Sequence, residues 1–109
     1  MPDHEYQIVL TSCPDSDSAN ALAQGLVEAR LAAAVNILPA GKSVYAWRQK
    51  VRTASEHLLL VKSATRNYRE IEAHIRAWHP YELPAILAVP IANASADYLG
   101  WLENPWITK

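Results

Sequence analysis

The sequence predicts an α+β domain with the element order βαββαβ and a terminal helix. Strand-length runs rich in β-forming residues alternate with two stretches whose apolar residues recur at helical spacing, and prolines or polar clusters separate them. Two βαβ halves with right-handed crossovers give a four-stranded antiparallel sheet with both helices on one face. A length of 109 residues fits one domain spanning residues 1–109.

The first strand and helix are the clearest elements. Residues 6–11 are rich in β-formers, and Pro14 stops the strand. Residues 15–18 supply several N-caps for a helix. Its apolar stripe comprises Ala19, Leu22, Ala23, Leu26 and Val27. Gly25 in this helix permits a close approach to the sheet.

The middle of the chain predicts a long hairpin. Residues 35–38 form a strand, residues 39–41 bend it, and residues 43–51 resume it. After a short polar connection, residues 56–63 form the next strand.

The second helix begins near Thr65, which is a plausible cap. Its apolar face comprises Tyr68, Ile71, Ile75 and Trp78. Pro80 disfavours the helical conformation for His79, so the helix should stop at Trp78.

The last strand and helix follow. Residues 86–91 are apolar on both faces, as expected at the centre of a sheet. A final helix runs from about residue 95 to residue 102, and Asn104 and Pro105 end it.

Composition excludes several classes of protein. The net charge is −1 and Lys and Arg are scattered, which disfavours nucleic-acid binding. Cys13 is the only cysteine, so an internal disulfide is excluded. No apolar stretch approaches the roughly 18 residues of a membrane span, and the acidic N-terminus does not resemble a signal peptide. We therefore expect a cytoplasmic protein without a membrane partner.

One face of the predicted sheet lacks a cover. Tyr45 and Trp47 of the hairpin point to one side, and Val44 and Ala46 point to the other. Because a small monomer rarely leaves a large apolar face in water, we expect a closed ring of identical subunits.

The chemistry concentrates in residues 78–84, where two prolines hold His79, Tyr81 and Glu82 between a helix and a strand. His79 with Glu82 three residues later suits Cu(II), Zn(II) or Ni(II). The alternative is a stiff loop whose polar groups cap nearby backbone.

Cys13 precedes a helix N-terminus, whose field lowers a thiol pKa and favours a thiolate able to bind soft metals. The alternative is a small buried hydrophobe. The chain has no nucleophile elbow and no glycine-rich phosphate loop, so catalysis is not expected.

The sequence resembles the CutA family of divalent-cation tolerance proteins over nearly its whole length. The matching motifs, in order, are Thr11-Ser12-Cys13-Pro14, residues 26–33, Val35-Asn36-Ile37, residues 43–47, Glu56 with residues 58–62, residues 79–84, and Tyr98-Leu99-Gly100-Trp101. The resemblance implies a ferredoxin-like fold in a homotrimer shaped like PII signalling proteins. It also implies a role in tolerance of copper and other divalent cations, with weak metal binding and no obligatory cofactor.

Three positions depart from the family pattern. Ala34 and Ala85 replace a cysteine and a glutamate, and Gln49 replaces a glycine. A metal site, binding Cu(II) or another divalent cation, would therefore depend on His79, Cys13 and Glu82.

A second interpretation is a PII-like sensor or adaptor without catalysis. It would bind a small anion or a partner protein in clefts between subunits, because such clefts are concave and partly apolar. The residues expected to line these clefts are Tyr45, Trp47, Lys62, Tyr81 and Glu82.

Overall fold

The computed structural model describes residues 4–107 and confirms the predicted α+β architecture, except that the second predicted strand is divided into two strands, β2 and β3. The strands are β1 (Tyr6–Cys13), β2 (Ala34–Ile37), β3 (Gly41–Trp47), β4 (Lys50–Ala64) and β5 (Leu87–Pro90). The helices are α1 (Ser16–Glu28), α2 (Tyr68–Trp78) and α3 (Ala96–Glu103), and a 3₁₀ turn at Thr65–Asn67 leads into α2.

The sheet is antiparallel, in the order β2-β4-β1-β5, as the predicted topology requires. β4 is 15 residues long. Its second half lies between β1 and β2, and its first half pairs with β3 alone. The β3–β4 hairpin therefore extends beyond the body of the sheet as an arm.

Helices α1 and α2 cover one face of the sheet and form the core with it. The buried residues of this core include Val9, Cys13, Leu22, Leu26, Leu59, Val61, Ile71 and Ile75. Trp78 was predicted on the same helix face, but it is 72% exposed. It lies in the last turn of α2, beyond the part that packs on α1 and the sheet.

Local signals set three helix ends where they were expected, but the start of α2 was predicted wrongly. The helix begins at Tyr68, after the 3₁₀ turn of Thr65–Asn67, and no side chain caps it. Ser18 donates its backbone N–H to Oδ1 of Asp15 at 2.7 Å, which caps α1. Helix α2 stops at Trp78, since His79 before Pro80 has an extended ψ of 137°. Ser95 caps α3 in the same way as Asp15 caps α1.

The position of the hairpin turn was predicted wrongly. The strand expected over residues 43–51 ends at Trp47, and no separate polar connection precedes residue 56. Arg48 and Gln49 form the turn with φ values of 49° and 66°. This is the left-handed region in which two-residue hairpin turns ordinarily carry Asn-Gly, so the sequence Arg-Gln gave no turn signal.

The position of β5 was also predicted wrongly. It lies at an edge of the sheet, next to β1 only, and Leu87 and Val89 are 49% and 41% exposed. Their β1 partners in the register, Leu10 and Ile8, also point away from α1 and α2. All four residues of β5 are exposed in the protomer, and Ile86 just before the strand packs against the core. Leu87 and Val89 belong to the open face of the sheet, which is the face opposite α1 and α2.

The open face is covered only at one end, where α3 crosses it. The Tyr6 hydroxyl donates to Glu103 at 2.8 Å, and the Lys62 ammonium lies 5.6 Å from the centre of the Tyr98 ring. The rest of the face remains exposed in the protomer, as the sequence predicted.

Gly25 permits a close approach, but to a helix and not to the sheet. A methyl group at this position would lie 2.9 Å from Nε2 of His74 on α2. The glycine therefore sets the distance between the two helices.

Candidate ligand cleft

A cleft of about 450 Å³ lies between the hairpin arm and the loop that follows α2. Its lining residues are Ser12, Ser43, Tyr45, Trp47, Glu56, Tyr81, Glu82, Leu83, Pro84 and Ala85. Four residues that were expected to line clefts between subunits, Tyr45, Trp47, Tyr81 and Glu82, lie together in this cleft within one protomer. The cleft brings together residues that are far apart in the chain.

Strand alternation presents one wall of the cleft. Ser43, Tyr45 and Trp47 occupy alternate positions of β3 and so share one side of it. Glu56 comes from β4, where it faces Gly41 in the register. The opposite wall is the loop of residues 81–85, in which Pro84 is buried.

Tyr81 joins the two walls. Its hydroxyl donates to Oε2 of Glu56 at 2.8 Å. Burial, followed by this hydrogen bond and the charge of Glu56, raises the pKa of Tyr81 to about 12. The phenol therefore stays neutral and acts as a donor throughout the physiological pH range.

The His79 side chain holds the loop in place through two hydrogen bonds. Its Nε2 donates to the backbone carbonyl of Ser12 at 2.7 Å, and its Nδ1 accepts the backbone N–H of Tyr81 at 3.0 Å. Both ring nitrogens are thus engaged, and the ring is buried. This is the arrangement expected of a stiff loop whose polar groups cap nearby backbone.

Cys13 is fully buried, with Sγ 3.8 Å from Nε2 of His79. Burial raises the pKa of the Cys13 thiol, and the charges of Asp15 and Glu56 raise it further against a lowering hydrogen bond with Ser18. The expectation of a lowered thiol pKa was wrong, because burial is the largest influence on this thiol and raises its pKa. The thiol behaves as a small buried hydrophobe.

The predicted metal ligands are only partly brought together. Cys13 and His79 are neighbours inside the protein, whereas Glu82 is exposed in the cleft. Among residues 4–107, no group of three His, Cys, Asp or Glu side chains is placed to hold a metal ion. These three residues therefore do not fit a metal centre in this arrangement.

Lys62 does not line the cleft. It lies six positions beyond Glu56 on β4, about 20 Å along an extended strand, and its ammonium contacts Tyr98. Sequence reasoning missed Glu56, Ser12 and Ser43 as lining residues. The pairing of Glu56 with Gly41 would have indicated the first of them, but it depends on the hairpin turn that was misplaced.

The sequence profile of the CutA1 divalent ion tolerance protein family matches residues 7–105. The chain belongs to this family. The resemblance found in the sequence motifs is thereby confirmed for almost the whole chain.

Individual CutA relatives agree with this assignment. The chain is 43% identical over 98 residues to the divalent-cation tolerance protein CutA of Thermus thermophilus, covering 90% of this chain and 95% of the relative. It is 39% identical over 96 residues to the protein of that name from Pectobacterium atrosepticum, covering 88% and 87%.

Solved CutA structures share the fold. The crystal structure of the stable CutA1 from Shewanella sp. SIB1 superposes with a TM-score of 0.91 at 36% identity, covering 98% of this chain and all of that one. The Thermus thermophilus structure gives 0.87 at 42% identity, covering 89% and 94%. The α+β architecture of this chain is therefore that of the CutA1 structures.

CutA relatives carry names from more than one compartment. One from Arabidopsis thaliana is called chloroplastic, and one from Archaeoglobus fulgidus is called periplasmic. Within residues 4–107, no helix of this chain has both the length and the apolar character needed to span a membrane.

Proposed function

We propose that this protein serves divalent-cation tolerance, including tolerance of copper, as a non-catalytic binding protein in the cytoplasm. Its working site is the cleft, which accepts a positively charged ligand. The observation that carries this proposal is the convergence of Tyr45, Trp47, Tyr81 and Glu82 from two separate segments onto one concave surface.

The held geometry of the cleft supports a binding role. The Tyr81–Glu56 hydrogen bond and the two hydrogen bonds of His79 tie the loop to β4 and β1. A site whose walls are fixed before the ligand arrives loses less conformational entropy on binding. Catalysis would need an activated nucleophile, and the buried Cys13 thiol with its raised pKa does not supply one.

The charge of the lining favours a cation over an anion. Glu56 and Glu82 are acidic, and the lining contains no Lys, Arg or His. Lys62, the one basic residue among those expected to line a cleft in the PII-like alternative, lies outside this cleft and beside Tyr98. We therefore place the signalling alternative second, with a cationic ligand or a partner protein in place of the anion.

A homotrimer is part of the proposal. The open sheet face and the edge of β5 expose Leu87 and Val89, and the edge also presents unpaired backbone groups. Packing against further copies of the chain would remove this surface from water.

Direct binding of metal is expected to be weak. Both nitrogens of His79 already have partners and Cys13 is a buried thiol, so Cu(II) would meet only the cleft carboxylates and keep much of its water. A tolerance protein of this kind acts through its ligand or partner, without storing the metal.

The test is complementation. A bacterium that lacks its own CutA family gene is grown on graded copper, zinc and cobalt salts with plasmids carrying wild-type protein, Trp47→Leu, Glu82→Gln or Cys13→Ala. Glu70→Gln, at an exposed acid of α2 outside the cleft, is the matched control.

We expect the two cleft variants to lose tolerance at normal protein levels, while Cys13→Ala and Glu70→Gln retain it. Full tolerance with both cleft variants, or loss confined to Cys13→Ala, would overturn the proposal.

A further inference from the structure

The cleft combines three aromatic rings with two carboxylates, and the basic side chain beside it, Arg48, lies against the Trp47 ring. We infer that its ligand is an organic ammonium ion, such as a quaternary ammonium group or the amine of a small metabolite or side chain. This inference rests on the proposed role of the cleft as a ligand site.

The two carboxylates indicate that the ligand carries a positive charge. Glu56 is held by the Tyr81 hydroxyl through Oε2, so its position in the wall is fixed. Glu82 is exposed at the rim of the cleft. Two acids facing a partly apolar concavity attract a cation more strongly than the same acids would on open surface, because the low-dielectric walls screen them less.

The aromatic residues define the kind of cation. Tyr45, Trp47 and Tyr81 supply π faces, which attract cations that shed their water easily. The Trp47 ring already has the guanidinium of the adjacent Arg48 at 5.4 Å from its centre. An indole that receives the protein's own organic cation is chemically suited to receive another.

Metal ions fit this surface less well. A hydrated divalent cation prefers several oxygen ligands, and residues 4–107 contain no group of three suitable side chains. Leu83, Pro84 and Ala85 in the loop wall are apolar and suit methyl or methylene groups. The volume of about 450 Å³ lies within the range of small-molecule sites.

Two probe molecules distinguish the effect of ligand charge on binding from the effect of ligand shape. Choline and 3,3-dimethylbutan-1-ol have nearly the same size and shape, but only choline carries a positive charge. Each is titrated by calorimetry into the purified full-length protein in its native assembly, with zinc chloride titrated separately. We expect saturable choline binding, about tenfold tighter than that of the neutral alcohol.

Variants locate the binding. Glu82→Gln removes one charge and Trp47→Leu removes the largest ring, and each should weaken choline binding by about three- to tenfold. Glu70→Gln should leave it unchanged. Both Glu82 and Glu70 are exposed, so these two substitutions test charge with little effect on folding, which melting curves verify.

Equal binding of the alcohol and choline, no saturable choline binding, or choline binding that survives both cleft variants would each overturn the inference. If choline fails to bind while the cleft variants still lose metal tolerance, the proposed function stands and the ligand class is wrong. If choline binds as expected while tolerance is unaffected, the ammonium site stands and the proposed function is wrong.

Discussion

At the scale of single residues, two side chains hold the cleft together. His79 joins the Ser12 carbonyl to the Tyr81 backbone, and Tyr81 then reaches Glu56 with its hydroxyl. The sequence located this segment because two prolines confine it, but the role of His79 depends on Ser12, which lies 67 positions earlier in the chain. No local pattern indicates such a contact, so the sequence left both a metal ligand and a hydrogen-bonded loop residue open as interpretations of His79.

Replacing Tyr81 with Phe removes the hydroxyl and its hydrogen bond to a charged acceptor. We expect a loss of about 1–2 kcal/mol in the free energy of unfolding at pH 7, measured by urea denaturation. Glu56→Gln combined with Tyr81→Phe should cost less than the sum of the two single changes, because they remove the same contact.

The stability that the Tyr81 hydroxyl provides should decrease at high pH. The pKa of Tyr81 is raised from 10.0 to about 12 in the folded protein, so folding favours the neutral phenol. The stabilisation is complete below pH 10 and is lost as the pH rises through about 12. The melting temperature of the wild type should therefore fall towards and below that of Tyr81→Phe between pH 10 and 12. A constant difference across this range would contradict the assignment.

Replacing His79 with Ala leaves the Ser12 carbonyl and the Tyr81 N–H without their partner. We expect a loss of about 2–4 kcal/mol in the free energy of unfolding. His57→Ala is the matched control, because the buried Nδ1 of His57 has no hydrogen-bond partner within residues 4–107. Equal losses for the two variants would show that the ring hydrogen bonds of His79 contribute nothing.

At the scale of helices and strands, the sequence predicted correctly those features that depend on contacts within a few residues. Asp15, Ser95 and Pro80 set helix ends through contacts within a few residues, and these were predicted correctly. The hairpin turn was missed because Arg48 and Gln49 adopt left-handed angles without glycine. The edge position of β5 was missed because neighbours in a sheet are set by tertiary contacts.

Gly25 and His74 make the packing of α1 on α2 testable. In an isolated helix, Gly→Ala stabilises by about 1 kcal/mol, but here the new methyl group would lie 2.9 Å from the imidazole. We expect Gly25→Ala to destabilise the protein when His74 is present and to stabilise it in a His74→Ala background. Thermal denaturation of the four proteins measures this coupling, and additive effects would contradict it.

At the scale of the whole molecule, the main feature is the apolar sheet face that α1 and α2 leave uncovered. The sequence predicted that apolar groups would lack a cover there, since two helices can shield only one side. The expectation that Lys62 lines a cleft between subunits stays a prediction; within the protomer, the continuous 15-residue strand β4 separates Lys62 from Glu56 and from the cleft described above.

A charge on the open face should prevent assembly. Val89→Lys places an ammonium among the exposed apolar groups of β5, and Ala77→Lys on the exposed side of α2 is its control. Light scattering should give three times the chain mass of 12.1 kDa for the wild type and the control, and a smaller particle for Val89→Lys. A wild-type particle of 12.1 kDa would rule out the trimer.

The most direct test of the cleft as the ligand site is an amide chemical-shift titration of the ¹⁵N-labelled protein with tetramethylammonium chloride, using sodium chloride as the control. We expect the largest specific shifts in β3 from Ser43 to Trp47 and in the loop of residues 81–85, with saturation on a single curve. Shifts centred outside these two segments, or no difference between the two salts, would contradict the account.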